Sequence, residues 1–137
     1  SDVGTMGEEV SDFADVITDY LETLFNCKVI RKIDRQRMFF EANSLDLMFR
    51  YKVGSSVSLD NNLVIARIEF PTVRVGHGAN FLKKLTDIAC TYGIENITIE
   101  SVNSNSRSFA EKLGFKQAKI QDNYYIDVNT LAKNLEI

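Results

Sequence analysis

An α/β (α+β) fold, one mixed sheet with helices on both faces, is what this sequence predicts, and three observations predict it. Residues 63–102 read as strand, helix and strand in turn, a unit that crosses over right-handedly and leaves its two strands parallel. Residues 45–53 alternate apolar and polar side chains, as a half-buried antiparallel strand does. Helical periodicity holds on either side of the strand-rich stretch, and no repeat, low-complexity segment or linker divides the chain.

The first helix is VSDFADVITDYLETLF, where Phe13, Val16, Ile17, Tyr20, Leu21 and Leu24 fall on one stripe. Ser11 and Asp12 offer cap oxygens near its start, and Asn26 can close it. Residues 28–42 are β-branched, aromatic and basic, which fits one long strand or two short ones bent near residues 34–36. Asn43 and Ser44 suit a hairpin turn into the alternating strand. That strand puts Leu45, Leu47, Phe49, Tyr51 and Val53 on one face and Asp46, Met48, Arg50 and Lys52 on the other. Residues 54–62 have loop composition. LVIARIEF, residues 63–70, is apolar enough for a central strand, and Pro71 ends it because proline has no N–H for a ladder.

From Gly78 to Tyr92 the pattern is helical again, with Phe81, Leu85, Ile88 and Tyr92 on one stripe and Gly93 as C-cap. ENITIESV, residues 95–102, is a strand with Ile97 and Ile99 inward. Residues 104–113 make a short helix stopped by Gly114. FKQAKI and NYYIDV form a closing antiparallel pair around Gln121 and Asp122, and NTLAKNLEI is a terminal helix capped by Asn129 or Thr130.

Composition bounds the class. With 137 residues, 45% hydrophobic and 26% charged, the chain suits one globular domain with a sizeable core. Residues 6–137 are read as that single domain, and SDVGT, residues 1–5, ahead of Met6, reads as a cloning remnant. No apolar run approaches the ~20 residues that span a bilayer, and no signal-peptide pattern appears, so no membrane partner is expected. Cys27 and Cys90 lie far apart, with no metal-ligand spacing, which fits free thiols in a reducing cytoplasm and no bound metal. A net charge of -3 argues against nucleic acid as a partner. The charge is uneven. Glu8, Glu9, Asp12, Asp15, Asp19 and Glu22 make the first helix acidic, while Lys28, Arg31, Lys32, Arg35 and Arg37 make the next segment basic. The two complement each other within the fold, or the basic stretch meets an acidic partner or a second copy in a homodimer.

The stretch FPTVRVGHGANFLKKL carries the chemistry. Gly76 and Gly78 stand where a strand hands over to a helix. A helix N-terminus leaves backbone N–H groups without partners and carries roughly half a positive charge, so it holds phosphate where the backbone can come close. Glycines clear that approach and allow φ > 0. The dinucleotide fingerprint is absent, because its third glycine would fall at Phe81, and no P-loop pattern appears.

Downstream, NSNSRSFAEKLGF opens the next helix, and at this point the chain resembles the GNAT superfamily of acetyl-CoA-dependent N-acetyltransferases. Their acyl-CoA loop, Q/R-x-x-G-x-G/A, is matched by residues 73–78, and their later motif by Asn103 and by Lys112-Leu113-Gly114-Phe115. The likeness is good over residues 63–128 and weak before them. It implies a mostly antiparallel central sheet with a splayed parallel pair. It also implies acetyl-CoA as co-substrate and an amine acceptor, either a small molecule or a peptide or protein.

Residue by residue, the resemblance implies that the amides of Val75, Gly76, His77, Gly78 and Ala79 hold the CoA pyrophosphate. The strand edge at Ile68, Glu69 and Phe70 would bind the pantetheine. Asn103 would meet the pantetheine or acetyl end, and Ser106, Phe109 and Lys112 would line the CoA arm. Two positions depart from the family. Val73 stands at the Q/R position, with Arg74 one residue later, and Ala110 stands where many members carry a tyrosine proposed as the acid for the leaving thiolate. His77, the only histidine, fits loop packing or the phosphate edge better than a catalytic base. Glu69 is the best-placed carboxylate for a base, pointing either to the core or to solvent. Tyr124 and Tyr125 are the alternative acids, one packed and one facing out. Two functions follow: direct acetyl transfer from acetyl-CoA to a primary amine, or an acetyl-CoA-binding module with little turnover that acts through a protein partner.

Overall fold

The computed structural model describes residues 3–54, 61–71, 76–100, 104–119 and 122–136. Helix α1 (Val3–Phe25) leads into strands β1 (Ile30–Asp34), β2 (Arg37–Ala42), β3 (Leu45–Lys52) and β4 (Asn62–Glu69). Helix α2 (His77–Tyr92), strand β5 (Asn96–Ile99) and helix α3 (Ser104–Lys112) follow, then β6 (Lys116–Gln117), β7 (Tyr124–Asp127) and helix α4 (Val128–Leu135). Among the described residues, seven strands lie in the order β1-β2-β3-β4-β5-β7-β6. Every neighbouring pair is antiparallel except β4 and β5.

Local chemistry explains most boundaries. Residues 28–42 are two strands because Arg35 turns at φ 58°, and Ser44 at φ 59° makes the next hairpin. β4 stops at Glu69, two residues before Pro71. Gly93, at φ 70°, caps α2, and the Ile94 N–H returns to the Ala89 carbonyl at 2.9 Å. Two expected caps are corrected. α1 starts at Val3, so Ser11 and Asp12 are interior helix residues. α4 is capped by the Asp127 carboxylate, which accepts the Thr130 N–H at 2.9 Å, in place of Asn129 or Thr130.

The register puts Phe40, Leu47, Phe49, Tyr51, Leu63, Ile65, Ile97, Ile99, Tyr124 and Ile126 on one side of the sheet, in a single core cluster. α1 and α2 lie on that side. The Phe13 ring packs 5.3 Å from both Tyr51 and Tyr92, and Phe49 stacks on Phe81 at 5.7 Å. The Tyr51 hydroxyl donates to the Tyr92 carbonyl at 3.1 Å. Burial, then the hydrogen bond to Asp12, push the Tyr92 phenol up to about 12. α4 packs beside α2, and its Asn134 donates to the Leu113 carbonyl at the end of α3 at 2.8 Å.

β6 runs parallel to β5, because each is antiparallel to β7. The other face carries Lys32, Phe39, Asp46, Met48, Arg67, Glu69 and Tyr125, with cross-strand ion pairs Arg50–Glu100 and Arg67–Asp46. No helix among the described residues is long and apolar enough to cross a membrane.

Candidate functional site

The sheet opens at its centre. β4 and β5 pair from Asn62 with Asn96 to Ile65 with Ile99, and the Glu100 N–H still reaches the Ile65 carbonyl at 3.0 Å. There β5 ends, while β4 runs on through Ala66, Arg67, Ile68 and Glu69, paired among the described residues to β3 alone. The ladder to β3 shifts at the same point. Phe49 faces Ile65 and Met48 faces Arg67, so Ala66 is the extra residue of a bulge. A bulge bends its strand and sharpens the twist, which turns β4 away from β5. Among the described residues, the β5-facing edge of β4 beyond Ile65 has no strand partner.

The start of α2 faces this region. Gly76 sits left-handed at φ 80°, a conformation costly to any residue with a Cβ, and no side chain caps the helix. The first turn holds no acidic residue. A helix start of this kind suits an anion. Gly78 is not left-handed, and its role differs: a Cβ there would stand 3.3 Å from Cζ of Phe109. The glycine lets α3 lay an aromatic ring on the first turn of α2.

His77 is clasped between aromatic rings, 4.9 Å from Phe25 of α1 and 5.8 Å from Phe70. Phe70 also meets Phe81 at 5.9 Å. The start of α2 is thereby packed against α1 and the end of β4. Ala79 is half-buried in the same turn.

Four predicted positions, Val73, Arg74, Val75 and Asn103, lie outside the described residues. Of the rest, Phe70 meets His77 and Phe109 meets Gly78, while Ile68 packs on the core from β4. Ser106, half-buried, lies one turn before Phe109. Lys112 is exposed at the far end of α3, about 9 Å further along the axis than Ser106. Glu69 resolves to the solvent side: it is exposed and directly opposite Asp46, on the face away from α1 and α2. Tyr124 is the packed tyrosine and Tyr125 the outward one, at 5% and 43% exposure. Tyr124 stands opposite Ile99, the last residue of β5, and its hydroxyl makes no hydrogen bond among the described residues. Glu69 and Tyr124 thus lie on opposite faces of the sheet.

Ala110 is fully buried within the core cluster, while Phe109 beside it meets α2. A tyrosine ring at position 110 would have to displace packed neighbours. The bulge at Ala66 is the feature that sequence reading missed. Its only trace is that alternation stops there: Leu63 and Ile65 share a face with Ile68, three residues on.

No protein-family model and no curated protein matches the chain. Solved structures do. A mutant AtaT toxin bound to the C-terminus of the antitoxin AtaR aligns with a TM-score of 0.50 at 12% identity, covering 69% of this chain and 67% of that one. The mutant toxin bound to the antitoxin C-terminus and acetyl-CoA aligns at 0.48 and 14%, covering 69% of each chain. An acetyltransferase of the GNAT family from Listeria monocytogenes 4b F2365 aligns at 0.48 and 14%, covering 67% of this chain and 64% of that one. At 12% identity the first of these likenesses is one of fold alone.

Proposed function

We propose that this chain, whose fold is that of the GNAT acetyltransferases, transfers an acetyl group from acetyl-CoA to a primary amine by direct attack. The observation that carries the reading is the opening of β4 from β5 set against an uncapped, glycine-started helix. A thioester lying in the opening would have its pantetheine amides beside Ile68, Glu69 and Phe70. Its pyrophosphate would meet the amides of residues 75–79, and Arg74 would add charge. Val73 would contribute backbone alone. Asn103 would meet the acetyl end, Ser106 and Phe109 the arm, and Lys112 its solvent end.

The amine lone pair attacks the thioester carbonyl carbon, a C–N bond forms, and the electron pair moves to the oxygen, which backbone N–H groups stabilise. The C–S bond then breaks. Glu69, on the open face, takes the proton shed by the amine nitrogen. Tyr124, on the helix face, gives its phenolic proton to the departing sulfur. The products are the amide and the CoA thiol. A second reading, an acetyl-CoA-binding module acting through a protein partner, is favoured by one observation: α3 presents buried Ala110 where an acid would stand.

Asn80→Glu tests the anion site. Asn80 is exposed in the first turn of α2. A carboxylate there suits the helix dipole, by about 0.3–1 kcal/mol, yet opposes a bound phosphate. Calorimetry should show acetyl-CoA affinity falling about tenfold or more, the scale of a hydrogen bond to a charged group, while the melting temperature holds or rises. Undiminished affinity sinks the site. Release of CoA thiol against a panel of amines and peptides separates the two readings: binding without release on any amine leaves the binding module.

A further inference from the structure

We propose that the outer edge of β1 is a docking edge for an acidic, extended segment of a partner protein, which pairs with it as an eighth strand beside the seven. The proposal stands apart from acyl transfer, because β2 and β3 separate β1 from β4.

β1 ends the sheet, so its outer side pairs with no strand among the described residues. The ladder to β2 closes at Asp34 and Arg37 across a two-residue turn. That closure makes Asp34, Lys32 and Ile30 the residues hydrogen-bonded to β2. The amides and carbonyls of Arg31 and Ile33 then turn outward, two residues apart, which is the repeat an added strand reads. Apolar surface accompanies them. Ile30 is 70% exposed and Ile33 37% exposed, on opposite faces of the strand.

Charge selects the occupant. Arg31 is paired with Asp15 of α1, and the Glu22 carboxylate accepts the Val29 N–H at 2.7 Å, so the base of the hairpin is tied to the acidic helix. Lys28, Lys32, Arg35 and Arg37 are exposed, and none makes an ion pair among the described residues. Lysine on an edge strand repels like edges. A second copy of β1 laid on this edge brings two cationic hairpins together, whereas a strand carrying carboxylates meets complementary charge and supplies the missing backbone partners. A nucleic acid would use the cations but leave the outward backbone groups and both isoleucines without partners.

The test uses the full chain and a fluorescein-labelled peptide of alternating valine and glutamate. The peptide should bind, weaken as salt rises, and slow amide hydrogen exchange at Arg31 and Ile33. Ile33→Pro removes an outward N–H at a place where an edge strand tolerates proline. It should lower peptide affinity about tenfold or more, the scale of an unreplaced hydrogen bond, with the circular dichroism spectrum unchanged. Lys32→Glu with Arg37→Glu should weaken binding at low salt, and this variant decides the matter if Ile33→Pro does not fold. Undiminished binding by a folded Ile33→Pro overturns the proposal, as does binding without slowed exchange at Arg31 and Ile33. Polyuridylate bound more tightly than the peptide overturns it in favour of nucleic acid. A dimer in light scattering that the peptide does not dissociate overturns it in favour of self-association.

Discussion

Gly76 and Gly78 are one residue apart and are glycine for different reasons. Gly76 turns left-handed and opens the helix, a role legible in the strand-to-helix change around it. Gly78 makes room for Phe109, a ring supplied by another helix, and no local pattern announces that neighbour. Ala110 was equally illegible in its orientation. Adjacent helix positions are turned about 100° from each other, and only the docking of α3 decides that position 109 meets α2 and position 110 the core. Tyr124 and Tyr125 could be told apart in kind, since alternation must bury one of them, but not by name. These placements give a paired prediction. Tyr124→Phe should lower kcat by ~10²–10⁴, the usual worth of a general acid. Acetyl-CoA affinity and melting temperature should stay level, because that hydroxyl has no partner among the described residues. Ala110→Tyr should lose about 1–3 kcal/mol of stability to overpacking without gaining kcat. Thiol release and thermal melts check both, and a rise in kcat for Ala110→Tyr would return the acid role to α3.

Elements were more legible than their ends. Every strand and helix anticipated from periodicity is present, but α1 begins eight residues before Ser11 and β6 shrinks to Lys116 and Gln117. Caps compete locally. Asp127, Asn129 and Thr130 all carry oxygens that suit an N-cap, and pairing of Asp127 with Asn96 fixes which of them ends the strand and starts the helix. Hydrogen bonds from the Thr130 side chain, then its backbone N–H, hold the Asp127 carboxyl below its usual range. A group depressed in the folded state stabilises above its unfolded value, ~3.9, and loses that contribution as pH falls through the folded value. Asp127→Ala should therefore cost about 1 kcal/mol at neutral pH, as the removal of a helix cap does, and less as the pH is lowered below 4 or so. Urea unfolding at neutral and acid pH reads this. A cost that does not shrink in acid would assign the effect to something other than the carboxylate.

At the scale of the whole molecule, the charge pattern and the crossover both became architecture. The acidic helix and the basic hairpin meet through Arg31 and Asp15, as complementary segments of one chain, although exposed pairs of this kind contribute only about 0–1 kcal/mol. What holds α1 down is its apolar stripe, with Phe13, Ile17 and Leu21 fully buried. The strand–helix–strand unit was readable from residues 63–102, and so was the parallel pairing of its two strands. The insertion of β7 between β5 and β6 was not, because strand order leaves no trace in periodicity.

The lone parallel pair among antiparallel neighbours also sets a timetable. β1 to β3 are joined by two-residue turns, so their pairing closes short loops and costs little chain entropy. β5 reaches β4 only after α2 has formed and crossed over, and non-local strand pairing is slow. Refolding should protect the amides of β2 and β3 first and those of β5 and β7 last. Pulse-labelled hydrogen exchange should see this as two waves, with α2 gaining protection between them, and early protection of Ile97 and Thr98 would reverse the order. While the second wave is pending, the apolar edge of β4 stands uncovered, and that interval is when this chain is most exposed to aggregation.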